Sequence, residues 1–156
     1  MRLRDVLLQN WDYVMDQEDW YPPALDALKN VTMEQALWKP EGSRVNSIWE
    51  NVLHLLYYKQ RLLARLEGTT LRHEAADNDE TFIVHDRSEE AWRLAQEQLK
   101  DVHAALRRKI EQLPEEELQE SPQRFFSLIT HDAYHIGQMI MLRKMQGSWP
   151  AKRHFS

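Results

Sequence analysis

Two histidines four residues apart, His131 and His135, are followed one step on by Gln138 in a seam that otherwise reads as apolar: Leu128, His131, His135, Gln138, Leu142 and Met145. Side chains four apart leave the same face of a helix about 5–6 Å apart at Cβ, so the two imidazoles converge and can hold one metal ion together. A third imidazole from a neighbouring helix would complete a three-histidine site with coordination positions left for water or substrate. The spacing alone is a weak signal, because seven histidines in this chain give such a pair by chance in roughly a quarter of comparable sequences. The placement is stronger. A polar side chain buried without a partner costs about 1–3 kcal/mol, and three of them stand where a core stripe should be.

Periodicity leaves the third ligand open. On the helix that begins at Ser47, the residues Ile48, Val52, Leu55, Leu56, Leu63 and Leu66 share one face. His54 falls away from that face, on a stripe with Glu50, Tyr57, Tyr58 and Arg61, and reads either as a surface histidine or as one facing a cleft lined by tyrosines. His103 aligns with Trp92, Leu99, Leu106 and Ile110 and reads as more buried than His54. His73, His85 and His154 fall in a loop or in the tail and read as solvated. Glu50, one turn before His54, could bond a ligand, act as a fourth ligand or serve as a general base. It is equally the acidic member of a capping box with Ser47. Gln138 could orient a bound water or substrate, bond a ligand ring nitrogen, or satisfy a backbone group. Gly137 inside a helix costs about 1 kcal/mol against alanine, which predicts close approach of a helix or ligand. Of six tryptophans, most read as core, with Trp49 near enough to His54 to line a pocket. Asp77, Asp79, Glu80 and Asp86 lack the spacing and glycine of a calcium loop and read as a solvated run.

Four long helices position these residues. The first runs from Leu3 to about Glu18 with Val6, Leu7, Trp11 and Val14 as its stripe, stopped by Pro22-Pro23. A short piece from Ala24 to Asn30 follows, then a turn capped by Thr32 and Gln35 and closed before Lys39-Pro40. The second long helix starts near Asn46 or Ser47, where Ser47 and Glu50 make the capping box, and runs to about Glu67 before Gly68. The third follows Ser88 and ends at Leu113, before Pro114. The fourth opens at Ser121-Pro122 and ends near Gln146, with Gly147 as its cap. Ordinary helix–helix connections are about 2–8 residues, so the stretch from Gly68 to Arg87 is long. It can cross a bundle and make helices two and three parallel neighbours, or cover a site. The fold expected is all-α, a four-helix bundle with one crossover.

Composition bounds the rest. At 156 residues the chain is one domain, enough to bury about 70% of its unfolded surface. Its net charge of −5 argues against a nucleic-acid partner, whose footprint is basic. Arg107-Arg108-Lys109 is a local basic cluster, but Glu111 and the run Glu115 to Glu117 offset it. No apolar run approaches the ~20 residues of a membrane span, and the opening Met1-Arg2-Leu3-Arg4-Asp5 does not read as a signal peptide. A soluble, cytoplasmic protein is expected. The absence of cysteine removes disulfides, iron–sulfur clusters, thiolate zinc sites and a cysteine nucleophile.

The string His131-Asp-Ala-Tyr-His135-Ile-Gly-Gln138, continued by Met-Leu-Arg143-Lys-Met-Gln-Gly147 after Met139-Ile140, resembles the C-terminal motif of the DinB-like superfamily. Upstream, Leu37-Trp38-Lys39-Pro40 and Ser47-Ile-Trp-Glu-Asn-Val-Leu-His54-Leu are similar to its second-helix region. The resemblance spans both halves of the chain in the right order. It implies an up-down-down-up four-helix bundle, a homodimer, and a divalent metal held by three histidines. Carried over position by position, the ligands fall on His54, His131 and His135. This sets aside the helical-wheel preference for His103, which becomes a core or dimer-interface histidine; helices of a small bundle can bury two faces. The resemblance further implies an enzyme acting on a small-molecule electrophile. A transferase using a low-molecular-weight thiol cosubstrate comes first, a metal-dependent hydrolase second. A non-catalytic metal-binding bundle is the remaining alternative. Imidazole ligands suit Zn, Ni, Fe or Cu, with Zn or Ni taken first.

Overall fold

A computed structural model provides the structure of the chain and describes residues 1–152; His154 lies outside them. Among the described residues there is no strand. The elements are α1 (Leu3–Tyr13), α2 (Ala24–Leu28), α3 (Met33–Leu37), α4 (Ile48–Leu66), α5 (Glu89–Gln112), α6 (Glu115–Glu120) and α7 (Gln123–Met145). A 3-10 helix, Asp79–Phe82, lies in the long connection between α4 and α5. The all-α expectation holds, and the four long helices fall where the periodicity puts them.

Local chemistry explains most boundaries. Ser47 caps α4 by accepting from the Glu50 amide at 3.1 Å, while the Glu50 carboxylate accepts from the Ser47 amide at 2.6 Å. These reciprocal bonds satisfy two of the donors that every helix N-terminus leaves unpaired. Thr32 and Gln35 do the same for α3 at 3.2 and 3.0 Å. Ser88 caps α5 by accepting from the Ala91 amide at 3.1 Å. Gly68 and Gly147 follow α4 and α7 with φ of 69° and 78°, the left-handed conformation that ends a helix at least cost in glycine.

Three boundaries depart from expectation. α1 ends at Tyr13 rather than Glu18. The amides of Met15, Asp16 and Gln17 all turn onto the Asp12 carbonyl at 3.1 Å, and the Val14 and Met15 carbonyls then accept from Ala24 and Leu25 at 3.0 Å. The helix thus gives way to a turn that hooks α2 onto it, and Val14 and Met15 stay buried in that turn, beyond the end of α1. Beyond Pro114 the chain makes the short α6 rather than a plain loop. Ser121 does not cap α7, whose N-cap position is Pro122 with no side-chain cap bond.

Leu7 and Trp11 of α1, Val52 and Leu55 of α4, Leu99 and Leu106 of α5, and Ile136 and Met139 of α7 form the buried core. α4 is central: it packs against α3, α5, α7 and the 3-10 helix. Burying more than one face of α4 is what brings His54 inside. Among the described residues no helix is long and apolar enough to cross a membrane.

Candidate metal centre

His54 of α4 and His131 and His135 of α7 form a single cluster. Their ring centroids stand 4.6–4.8 Å apart in every pair, and one ligand nitrogen from each lies within 4.8 Å of the others. His54 and His135 are buried and His131 is half-buried. Among the described residues this is the one group of three or more such side chains able to hold a metal ion.

Hydrogen bonds fix which nitrogens face inward. The Thr81 hydroxyl donates to the Asn78 carbonyl at 2.6 Å, so its oxygen accepts from His54 Nδ1–H, 2.6 Å away. That leaves His54 Nε2 as a bare lone pair. Asn51 donates its amide to the Ser47 carbonyl at 2.8 Å, which turns its Oδ1 to His135 Nδ1 at 2.7 Å. An amide oxygen can only accept, so His135 carries its proton on Nδ1 and its Nε2 is bare as well. His131 Nε2 stands 2.9 Å from His54 Nε2. His54 and His135, each oriented from its far side by an oxygen, thus have the support that a metal-ligating histidine requires.

Burial keeps the rings neutral, the form that ligates. It pushes His54 down to about 3, helped by His135 and His131. Burial likewise lowers His135 to about 4, with His131 adding to the effect and Gln138, close enough to favour the protonated ring, opposing it. His131 is lowered by burial against the opposing pull of the Asp132 carboxylate. Phe82 stacks on His54 at 4.0 Å with an 8° tilt, and Tyr58 meets it edge-on at 5.0 Å. The 3-10 helix of the long connection therefore supplies both the oxygen that orients His54 and the ring that covers it. A cavity of about 440 Å³, bordered by Tyr58, Asn78, Leu128 and His131, opens beside the cluster.

The remaining candidates are placed elsewhere. Glu50 sits outside the cluster: its carboxylate is held by the Ser47 amide and by Lys39 Nζ at 2.7 Å. Gln138 stays beside His135. His103 is buried as its periodicity predicts, but in a separate cluster, with Nε2 on the Trp11 carbonyl at 2.9 Å, Nδ1 on Lys59 at 3.1 Å and its ring stacked on Trp11 at 4.5 Å. Trp49 packs on Trp92 at 5.3 Å in the core rather than lining the cavity. Trp20 is almost wholly exposed, against the core reading. Gly137 lies on the exposed face of α7, and a Cβ there would meet nothing within 4 Å, so no close approach within the described chain explains it.

Sequence reasoning missed Lys59 and Asp132, a fully buried ion pair at 2.6 Å that joins α4 to α7. Asp132 follows His131 directly. The signal was present: Lys59 lies four residues from both Leu55 and Leu63, inside the apolar stripe of α4.

No curated protein and no solved structure matches the chain. The family model of the DinB superfamily matches residues 23–139, which include all three clustered histidines. The chain belongs to the DinB superfamily.

Proposed function

We propose that His54, His131 and His135 hold one divalent transition metal, zinc or nickel first, at the centre of an enzyme that transfers a low-molecular-weight thiol to a small electrophile. One observation carries the reading. Two of the rings have their protons pinned on Nδ1 by Thr81 and Asn51, and their bare nitrogens converge with the third. Such a donor set fits a borderline metal. When bound, the ion would lower the pKa of a coordinated thiol or water and polarise an electrophile.

The chain's own residues supply the setting. Phe82 and Tyr58 cover His54, and half-buried His131 borders the cavity, the side on which reactants would enter. With no cysteine in the chain, the thiol arrives as cosubstrate. It loses its proton, its sulfur forms the new bond to the electrophile, and the displaced group leaves with the proton. No fourth protein donor joins the cluster among the described residues, and Glu50 is already engaged. That supports an open, catalytic site over a closed, structural one. Metal-dependent hydrolysis is the alternative with the same residues, water replacing the thiol.

The reading takes residues 1–156 as one domain, an up-down-down-up four-helix bundle assembling as a homodimer, which sedimentation equilibrium checks. To test the activity, metal-loaded protein is incubated with glutathione or cysteine and a panel of electrophiles while free thiol is followed. Thiol consumption lost on chelation and restored by zinc or nickel is expected. Metal-dependent ester or amide cleavage without thiol consumption would favour the hydrolase instead.

A further inference from the structure

The cavity beside His131 is lined by three guanidinium groups: Arg61 and Arg65 of α4, and Arg124 near the start of α7. Among the described residues none of the three makes an ion pair; Arg44, Arg72, Arg87, Arg108 and Arg143 make none either, and what sets Arg61, Arg65 and Arg124 apart is that they line one cavity together. Arg124 Nε is buried and has no hydrogen-bond partner among the described residues, and the Arg124 Cζ lies 5.1 Å from the Phe125 ring. A buried donor left unpaired is costly, and like charges around one cavity repel. Among the described residues no carboxylate lines the cavity to offset them. In a chain of net charge −5, these three cations are a local concentration and not part of a generally basic surface. The rest of the lining is a Leu62–Leu128 apolar strip and the neutral Tyr58, Asn78 and Ser127. Tyr58 is itself engaged, donating to Asn78 at 2.9 Å.

We propose that this cavity selects an anionic substrate, with its carboxylate or phosphate held by Arg61, Arg65 and Arg124, its carbon skeleton on Leu62 and Leu128, and its other end at His131. Guanidinium groups match both anions with paired, charge-assisted hydrogen bonds. Calling the ligand a substrate rests on the metal-site reading; the anion site itself does not.

Phenyl phosphate, benzoate and uncharged benzyl alcohol are titrated calorimetrically into metal-loaded and metal-stripped protein, with metal content measured on the same samples. Variants are Arg61→Gln, Arg124→Gln and the double change, with exposed Arg108→Gln, on another helix, as the control for lost charge. At least one anion should bind and benzyl alcohol should not. Each cavity variant should weaken binding about tenfold or more, the worth of one charge-assisted pair. Arg108→Gln should leave it unchanged, and the tighter of the two anions identifies the head group. Failure of both anions to bind, or equal binding by the double variant, overturns the inference even where metal is retained. Arginine-dependent anion binding in a protein that takes up no metal would uphold the anion site and sink the metal reading.

Discussion

At the scale of single residues, the site depends on oxygens that never touch the ligand. Thr81 and Asn51 hold His54 and His135 in one tautomer, so removing either oxygen frees a ring to turn or to move its proton. Thr81→Val and Asn51→Ala should each lower metal affinity about 10–100-fold, measured by competition with a chromophoric chelator. Unchanged affinity in both would mean that the rings are held by packing alone. The depressed histidines also set a sign for pH. The folded rings of His54 and His135 stay neutral down to about 3 and 4 against an ordinary value of 6.5. Above 6.5 neither the folded nor the unfolded chain protonates them, and their contribution to stability is complete. As pH falls below that value, only the unfolded chain gains protons, and stability declines toward the folded values. Asp132, raised by burial, works the other way once its own titration begins. The melting temperature of metal-free protein should therefore fall steadily from pH 7 to pH 5; a flat or rising profile would contradict the burial assigned to these rings. His131 and His135 were legible in the sequence because they interrupt an apolar seam on their own helix.

At the scale of elements, α4 decides the architecture. Its own apolar stripe faces the core, but its second face is covered by the 3-10 helix delivered from the connection that follows, 27 residues from His54 to Thr81. A helical wheel reads only the helix it is drawn on, which is why periodicity left His54 outside and preferred His103. The long connection could be seen in the sequence; what it would land on could not. The overlong first helix has a similar cause, since Val14 and Met15 are buried by a turn rather than by another helical step. Between α4 and α7 the Lys59–Asp132 pair is fully buried, with Lys59 Nζ also on His103 and 4.5 Å over the Trp11 ring. Lys59→Met would leave Asp132 as an uncompensated charge and should cost about 3–5 kcal/mol in chemical denaturation. Lys59→Met with Asp132→Leu should recover most of that loss. Additive losses in the double variant would show that the two charges are not coupled.

At the scale of the whole molecule, a chain of net charge −5 brings a buried histidine cluster and three arginines without an ion pair among the described residues to neighbouring positions on α4 and α7. The family match spans residues 23–139, so all three clustered histidines fall within it. The fold class could be read from helical periodicity and caps, and the histidine pair from placement; His54 was reached only through the family resemblance, because its burial depends on the three-dimensional arrangement of two helices and one connection. The most direct test is elemental analysis of untagged protein, wild type beside His54→Ala, His131→Ala and His103→Ala, after incubation with zinc or nickel and removal of excess. About one ion per chain, lost in His54→Ala and His131→Ala and kept in His103→Ala, is the predicted result for a three-histidine site with open positions. Wild-type protein that retains no metal, or equal loss in all three variants, would contradict it.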